Sequence, residues 1–476
     1  MMKFIGRSRE VSLLNQLAEK ESASLVVIYG RRRVGKSRLI EEFGQSLKAY
    51  SFTGLHPDLL LTKEEQINEF SIQVGLEFKT TKPSYTDWSE AFYDLSQRTQ
   101  TGKTLIILDE ITWLGAKDSS FLGKLKIAWD KYFKKNPELI LVLCGSVSSW
   151  IKKNILASTG FHGRISLTLH LKELPLSVCK AFWGSLSDKI SAYEKLKILA
   201  VTGGIPKYLE EINPSLPAET NIKQLAFSET GILFNDFRQI FSDSLNSHNS
   251  HYLAIVHMLV SAHLTQSDIA KKLHIDTGGT LSEYLENLVL AGFITKHSTI
   301  NLKTKKTSNI SYYHLSDNYL RFYLKYILPN GEKIMAGNFE FSSFNFLPAW
   351  SSIIALQIEN LALNNRHEII THLGIPKNEI IFDGPFIQRA TEKNKGCQID
   401  YLIQTQFNTL YLCEIKFSRN LIEKSIVDEI EQKIKALDVP KNTSIRPVLI
   451  HVGKLHDHLI DAQYFSNMID LTQLLN

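Results

Sequence analysis

Cysteine is scarce and scattered. The chain of 476 residues has four, Cys144, Cys179, Cys397 and Cys413, and none belongs to a C-x-x-C pair. That spacing speaks against a thiolate zinc site and against a disulfide framework. Long apolar runs are missing too: no stretch approaches about eighteen apolar residues, so no membrane span is expected. The opening Met1-Met2-Lys3-Phe4-Ile5-Gly6-Arg7 has no apolar signal core, and a reducing cytoplasm is the expected location. Neither sign of charge dominates, with 54 Lys and Arg against 49 Asp and Glu, a net charge of +5. This mild basicity permits contact with nucleic acid without requiring it. The 43% hydrophobic and 22% charged residues are those of a globular protein, and the length suits about two to four domains.

What the chain does have is a stretch that organises the rest. Gly30-Arg31-Arg32-Arg33-Val34-Gly35-Lys36-Ser37, followed by Arg38, reads as G-x-x-x-x-G-K-S. Before it, Leu25-Val26-Val27-Ile28 is long enough for a buried parallel strand; after it, Leu39, Ile40 and Phe43 recur at helical spacing. Strand, glycine-rich loop and helix is the context of a phosphate-binding loop. Glycines let the backbone curl so that its N–H groups point at phosphates, and the helix N-terminus adds the positive end of its dipole. Lys36 is placed to reach the β- and γ-phosphates and Ser37 to ligate Mg²⁺. Further on, Thr104-Leu105-Ile106-Ile107-Leu108-Asp109-Glu110 is an apolar run ending in two acids, which reads as a buried strand with its tip in a ligand crevice. Asp109 is expected to hold Mg²⁺ through water and Glu110 to polarise the attacking water. The cofactors called for are ATP and Mg²⁺.

Several smaller signals surround this pair. Phe4-x-Gly6-Arg7-x-x-Glu10 opens the chain, and Leu139-Ile140-Leu141-Val142-Leu143-Cys144-Gly145-Ser146 is a third apolar strand with a polar tip. Gly160-Phe161-His162-Gly163-Arg164 follows, then Thr202-Gly203-Gly204-Ile205-Pro206-Lys207-Tyr208-Leu209, a sharp corner. In this order they resemble the archaeal-type P-loop ATPases, relatives of the STAND and AAA+ classes, over roughly the first 240 residues. The resemblance implies that Gly6 and Arg7 lie near the adenine and that Ser146 senses the γ-phosphate, unless it merely turns the chain. It implies a helical lid with Pro206 at its corner. It makes Arg164 a candidate arginine finger, in its own subunit or on a neighbour, against the plainer reading of a surface arginine. A homo-oligomer is compatible with it.

The middle of the chain reads as three helices and a hairpin. Leu253, Ile255, Val256, Leu259 and Val260 suit a helix, Thr265 caps a short second one, and Leu281, Tyr284, Leu285, Leu288 and Val289 mark a third that stops at Gly292. Strands follow at Phe293–Lys296 and Ile310–His314 around a polar loop. The expectation is a winged helix-turn-helix, with Lys303, Lys305 and Lys306 at the hairpin tip facing DNA phosphates. Thr277, Thr280, Ser282 and Glu283 are the recognition-helix candidates. The plainer alternative is a packing module beside the ATPase.

In the last third, a helix carrying Glu359 precedes strands at Ile380–Phe382, Cys397–Ile403 and Leu410–Phe417, and another helix spans about Ser425 to Ala436. Asp400, Glu414 and Lys416 then make a D…E-x-K pattern on neighbouring strands, with Glu414 and Lys416 on one face. The order resembles a PD-(D/E)XK nuclease core, a module that accompanies many archaeal-type ATPases. The resemblance implies Mg²⁺ held by Asp400, Glu414 and Glu359, with Lys416 orienting the nucleophile. Gln398 stands where such proteins often place a second acid.

The whole is expected to be an α/β multidomain chain: a P-loop ATPase core over 1–170, a lid over 171–245, a winged helix over 246–330 and a nuclease-like domain over 335–476. The expected function is an Mg-ATP-dependent ATPase that acts on DNA, nucleotide state controlling DNA binding or metal-dependent cleavage. The alternative is an ATP-dependent switch whose C-terminal domain is catalytically inactive and serves as a docking module for DNA or protein.

Overall fold

The computed structural model describes residues 4–57, 60–245, 249–340, 343–390, 395–418 and 420–475. Met1 to Lys3, part of the opening read for a signal segment, lie outside the described residues. Backbone contacts divide the chain into two units, Met1–Glu173 with Ile240–Ser247, and Leu174–Gln239 with His248–Asn476.

The first unit is built on five parallel strands: β1 (Ser24–Tyr29), β2 (Lys48–Thr53), β3 (Thr104–Asp109), β4 (Leu139–Gly145) and β5 (Ile165–His170). They lie in the order β2-β3-β4-β1-β5. The central strands β1, β3 and β4 are buried along nearly their whole length and carry continuous apolar runs rather than an alternation, as parallel strands covered on both faces do. Leu25, Val27, Ile106, Leu108, Leu141 and Leu143 form one side of the core with Phe70, Trp88, Phe92 and Phe121 from the covering helices. Truncating a central leucine such as Leu141 to Ala removes contacts worth about 2–5 kcal/mol. Among the helices, Lys63–Glu77 starts at a capping box in which Thr62 and Glu65 satisfy each other's backbone N–H groups.

The second unit begins with helices. Ser191 caps the helix Ala192–Thr202, which ends at Gly203, and Pro206 opens the helix Pro206–Glu210 at its first turn. A Cβ on Gly204 would lie 2.1 Å from the carbonyl oxygen of Leu174, so the corner admits no side chain there. Next come helices Asn249–Met258, Gln266–Leu273 and Gly279–Leu290, with Thr265 and Asp268 forming a second capping box. A short β6 (Leu264–Thr265) and the hairpin β7 (Ile294–Ile300) and β8 (Thr307–Leu315) make a sheet ordered β6-β8-β7.

The helix Trp350–Asn364 leads into β9 (Ile380–Gln388), β10 (Cys397–Thr405) and β11 (Thr409–Phe417), an antiparallel meander. The helix Ser425–Ala436 crosses to β12 (Ser444–Val452), which runs parallel to β11 and is followed by a parallel β13 (Asn467–Asp470).

The hairpin tip differs from its expected role. Ile300 and Leu302 are buried in the same apolar cluster as Ile399, Leu402, Leu410 and Leu412 of the C-terminal sheet. Lys303 pairs with Asp438, Lys305 Nζ donates to the carbonyl of Gln406 at 3.2 Å, and Gln404 Nε2 donates to the carbonyl of Leu302 at 3.1 Å. Two of the three lysines expected to face phosphates are thus spent on the chain itself. The apolar residues at the base of the tip explain why: their burial fastens the hairpin down.

Candidate functional site

Because β1, β3 and β4 are parallel and adjacent, their C-terminal tips share one edge of the sheet. β4 lies between the other two, so Ser146 falls between the loop after β1 and the acids after β3. The loop itself depends on glycine. Gly30 has φ 150°, and a Cβ on it would lie 2.3 Å from the carbonyl oxygen of Leu171. Gly35, at φ 89°, caps the helix Lys36–Gly44, and Arg33 adopts φ 72° between them. Lys36 is buried, and its ammonium donates to the carbonyls of Gly30 at 3.0 Å and Arg31 at 3.2 Å. The cation is therefore held inside the curl of the loop. Val34, in the same loop, is buried.

The Mg²⁺ donor set fits. Ser37 Oγ lies 3.2 Å from Asp109 Oδ2, so a hydroxyl and a carboxylate converge beside the loop as hard-cation ligands must. Glu110 stands next to them with φ 46° and ψ 52°, a left-handed conformation that costs a non-glycine residue roughly 1–3 kcal/mol. Its carboxylate accepts from Ser146 Oγ at 3.0 Å and from the Ser146 backbone N–H at 3.3 Å. Burial pushes the Glu110 carboxyl above its ordinary range; the Lys36 charge opposes that shift and the Asp109 charge adds to it. A raised carboxyl suits a base that must take a proton near neutral pH.

Arg7, which follows the left-handed Gly6, donates to the carbonyls of Val34 at 3.1 Å and of Lys172, tying the opening box to the loop. Arg31 lies 4.0 Å from Glu173, and the Arg32 guanidinium sits 5.5 Å from the centre of the Trp113 ring. Arg38 turns along its own helix to Glu41 at 3.3 Å. Pro206 belongs to the second unit.

Arg164 requires a correction. It immediately precedes β5, where Ile165 pairs with Leu25 at the start of β1, while the phosphate loop follows Tyr29, paired with His170. The arginine is therefore at the opposite edge of the sheet, about five residues or roughly 17 Å away at 3.3 Å per residue. It cannot neutralise charge at its own subunit's loop. Instead it forks onto Asp130, with Nε and Nη2 each 2.9 Å from a carboxylate oxygen. Sequence reading missed Asp130; the only signal for it is its place on the helix Phe121–Lys131 with Lys126, which also pairs with it at 2.9 Å.

In the second unit, the register that pairs Tyr401 with Cys413 brings Asp400 and Glu414 side by side on β10 and β11. Asp400 Oδ2 accepts from the Ile415 N–H at 2.9 Å. Glu414 is only 2% exposed. One of its oxygens meets Lys416 at 3.2 Å and the other meets Lys433, from the helix Ser425–Ala436, at 2.6 Å. Burial, then the Asp400 charge, pushes the Glu359 carboxyl up; burial and the Glu414 charge do the same to Asp400. Asp400, Glu414 and Lys416 come together, and Glu359 on the helix Trp350–Asn364 lies within electrostatic range of both carboxylates, but a divalent ion does not fit the arrangement. Both Glu414 oxygens are engaged by ammonium groups. Among the described residues no group of three or more His, Cys, Asp or Glu side chains is arranged to hold a metal. Gln398 is exposed on β10. Lys433 was missed because nothing in a run of charged helical residues says which of them faces the sheet.

Residues 4–212 match the family model of an ATPase domain found predominantly in Archaea. The chain is 25% identical over 350 residues to an uncharacterized protein of Methanocaldococcus jannaschii, covering 71% of this chain and 72% of that one. It is 38% identical over 48 residues to an uncharacterized ATP-binding protein of the same organism, covering 10% of this chain and 81% of that protein. Among solved structures, a Walker-type ATPase of Pyrococcus abyssi superposes with a TM-score of 0.50 at 18% identity, covering 67% of this chain and 96% of that one. That likeness is one of fold. No helix among the described residues is long and apolar enough to cross a membrane.

Proposed function

We propose that this chain, which carries at residues 4–212 an ATPase domain of the predominantly archaeal family, hydrolyses Mg-bound ATP and uses the cycle as a switch acting through its second unit. The observation that carries the reading is the convergence of Lys36, the Ser37–Asp109 pair and the Ser146-held Glu110 at one edge of the sheet. Backbone N–H groups of the loop and the start of the helix Lys36–Gly44 bind the phosphates. Lys36 leaves the Gly30 and Arg31 carbonyls to meet the β- and γ-oxygens. Ser37 and Asp109 would hold Mg²⁺, which would supply charge neutralisation on the transferred phosphoryl group. Glu110, kept in orientation by Ser146, takes the proton of the attacking water. The test is ATP turnover by the purified chain with Mg²⁺. Glu110→Gln should retain nucleotide binding and lose hydrolysis; turnover at the unmodified rate in that variant refutes the assignment.

For the second unit, the engaged oxygens of Glu414 favour a nuclease-like fold used as a docking module over one that cuts. The supporting measurement is a plasmid assay with ATP and Mg²⁺ or Mn²⁺, in which the chain should leave supercoiled DNA intact. The helices 249–290 with their hairpin match the order of a winged helix. DNA is the partner we propose for it, met by the exposed Thr277, Thr280 and Ser282 around the helix Gly279–Leu290 rather than by the fastened hairpin tip. Replacing Lys303 and Lys305 by Ala should therefore leave the salt dependence of DNA binding unchanged. Replacing Thr280 and Ser282 by Asp should weaken binding. The reverse pattern would return the interface to the tip.

A further inference from the structure

Lys36 alone does not balance the charge of the nucleotide crevice. It is the ammonium inside the loop, whereas two carboxylates, Asp109 and Glu110, stand at the tip of β3. A Mg-bound triphosphate brings further negative charge, and more develops on its terminal phosphoryl group as that group transfers. A second cation aimed at that group is what such chemistry requires. Arg164 is at the opposite edge of the sheet, Arg31 turns toward Glu173 and Arg38 toward Glu41. Arg32 reaches elsewhere. The loop follows β1, and Trp113 lies in the short helix Ile111–Leu114 after β3, with β4 between the two strands. That separation is two strand spacings, about 10 Å. The Arg32 guanidinium lies 5.5 Å from the centre of the Trp113 ring, so its side chain crosses the tips of β4 and β3. Trp113 is a fixed mark. Its backbone N–H donates to the Glu110 carbonyl at 2.7 Å, its own carbonyl accepts from Gln66 Nε2 at 3.0 Å, and its ring meets His56 edge-on at 5.0 Å. The guanidinium is thereby held within one helical turn of Glu110.

We propose that Arg32 is a catalytic residue acting from within the loop: its guanidinium binds the oxygens of the transferred γ-phosphoryl group in the same copy of the chain. The proposal rests on the reading of the first unit as an Mg-dependent ATPase. In the step it serves, the water oxygen bonds to the γ-phosphorus while the bond from that phosphorus to the β–γ bridging oxygen breaks. The electron pair stays on the ADP oxygen and Glu110 takes the water proton, leaving ADP and inorganic phosphate. The water must stand between Glu110 and the γ-phosphorus, so the γ-oxygens lie in the crevice that Arg32 spans. A planar guanidinium offers two parallel N–H groups to two such oxygens, and the contact strengthens as charge builds on them. The Trp113 face holds the guanidinium on this side of the loop before phosphate engages it.

The experiment compares the full chain with Arg32→Ala and Arg32→Lys. It measures phosphate release, and calorimetric titration with Mg²⁺ and ADP in the presence and absence of aluminium fluoride, which beside ADP mimics the transferring group. Arg32→Ala should bind ADP as the unmodified chain does. It should lose roughly 10²–10³-fold in kcat and lose the tightening that aluminium fluoride confers. Arg32→Lys, which keeps the charge but not the fork, should fall between, and it serves as the readout if the alanine variant fails to fold. Free guanidinium ion, added well below denaturing concentration, should restore part of the turnover of Arg32→Ala and none of that of Lys36→Ala. Unchanged turnover and unchanged tightening in Arg32→Ala overturn the proposal and leave the ATPase reading standing. A loss of ADP binding as large as the loss of turnover, in both Arg32 variants, also overturns it, because it marks a loop that no longer binds. Absence of turnover by the unmodified chain removes the ATPase reading and the proposal with it.

Discussion

Ser146→Ala is the most informative single change at the nucleotide site. The hydroxyl donates to Glu110 at 3.0 Å on one oxygen and 3.3 Å on the other. The Ser146 backbone N–H, also at 3.3 Å, remains in the variant. The alanine removes one hydrogen bond to a charged, buried acceptor, worth about 1.5–3 kcal/mol. The surviving N–H places the expected loss at the lower end, and about 1.5 kcal/mol corresponds to roughly a tenfold fall in kcat at neutral pH. The direction of the pH effect follows from the same bond. Ser146 favours the ionised carboxylate, whereas burial raises its pKa; deleting the donor raises it further. The acid limb of the kcat profile should therefore move to higher pH, and the variant should recover part of its loss as pH rises. KM for ATP should change little, because Ser146 bonds to Glu110 and not to the loop. The assay is steady-state phosphate release between about pH 6 and 9, a window around the operating pH of a general base. An unshifted acid limb with a uniformly lower kcat would show that Ser146 does not act through Glu110. An unchanged kcat would show that the Ser146 hydroxyl does not set the orientation of Glu110, the backbone N–H sufficing.

Other outcomes follow from the same geometry. Lys36→Ala should abolish turnover and nucleotide binding together, since it removes the cation from the phosphates; isothermal titration with a non-hydrolysable nucleotide checks the second half. Arg164→Ala should leave kcat independent of the substitution at protein concentrations where the chain is monomeric, because the arginine lies at the far edge of the sheet. A loss of turnover that grows with protein concentration would mark it as a residue acting on a neighbouring copy. For Asp118, burial opposes ionisation, yet the Ser120 hydroxyl and N–H with the ammoniums of Lys124 and Lys63 pull its carboxyl down to about 2. A carboxyl depressed in the folded state contributes stability above its unfolded pKa and loses it as pH falls. The thermal stability of the first unit should thus fall from about pH 4 toward pH 2, with a shallower slope in Lys124→Met. An identical slope in that variant would separate Lys124 from the effect.

What the sequence by itself determined is local. Between a buried strand and an amphipathic helix, the run Gly30 to Ser37 admits few conformations, because the positive φ at Gly30 and Gly35 and the N-terminus of the helix all act within a few residues. The acids at 109 and 110 were legible for a similar reason: an apolar strand that ends in charge ends at an edge of the sheet. The alternation that sets Glu414 and Lys416 on one face of β11 is equally local. Tertiary structure decided what depends on who stands opposite. Arg164 looked like a finger from its position after Gly163, yet parallel pairing of β5 with β1 set it a strand's length from the loop. The hairpin lysines looked free to meet phosphates, yet Ile300 and Leu302 anchor their loop in the C-terminal core. Lys433 looked like one charge among several on a helix surface, yet the crossover turned it onto a carboxylate that only folding buries. A charge in sequence carries no record of its partner; the partner is chosen by long-range packing, and with it whether that charge is left to bind a ligand.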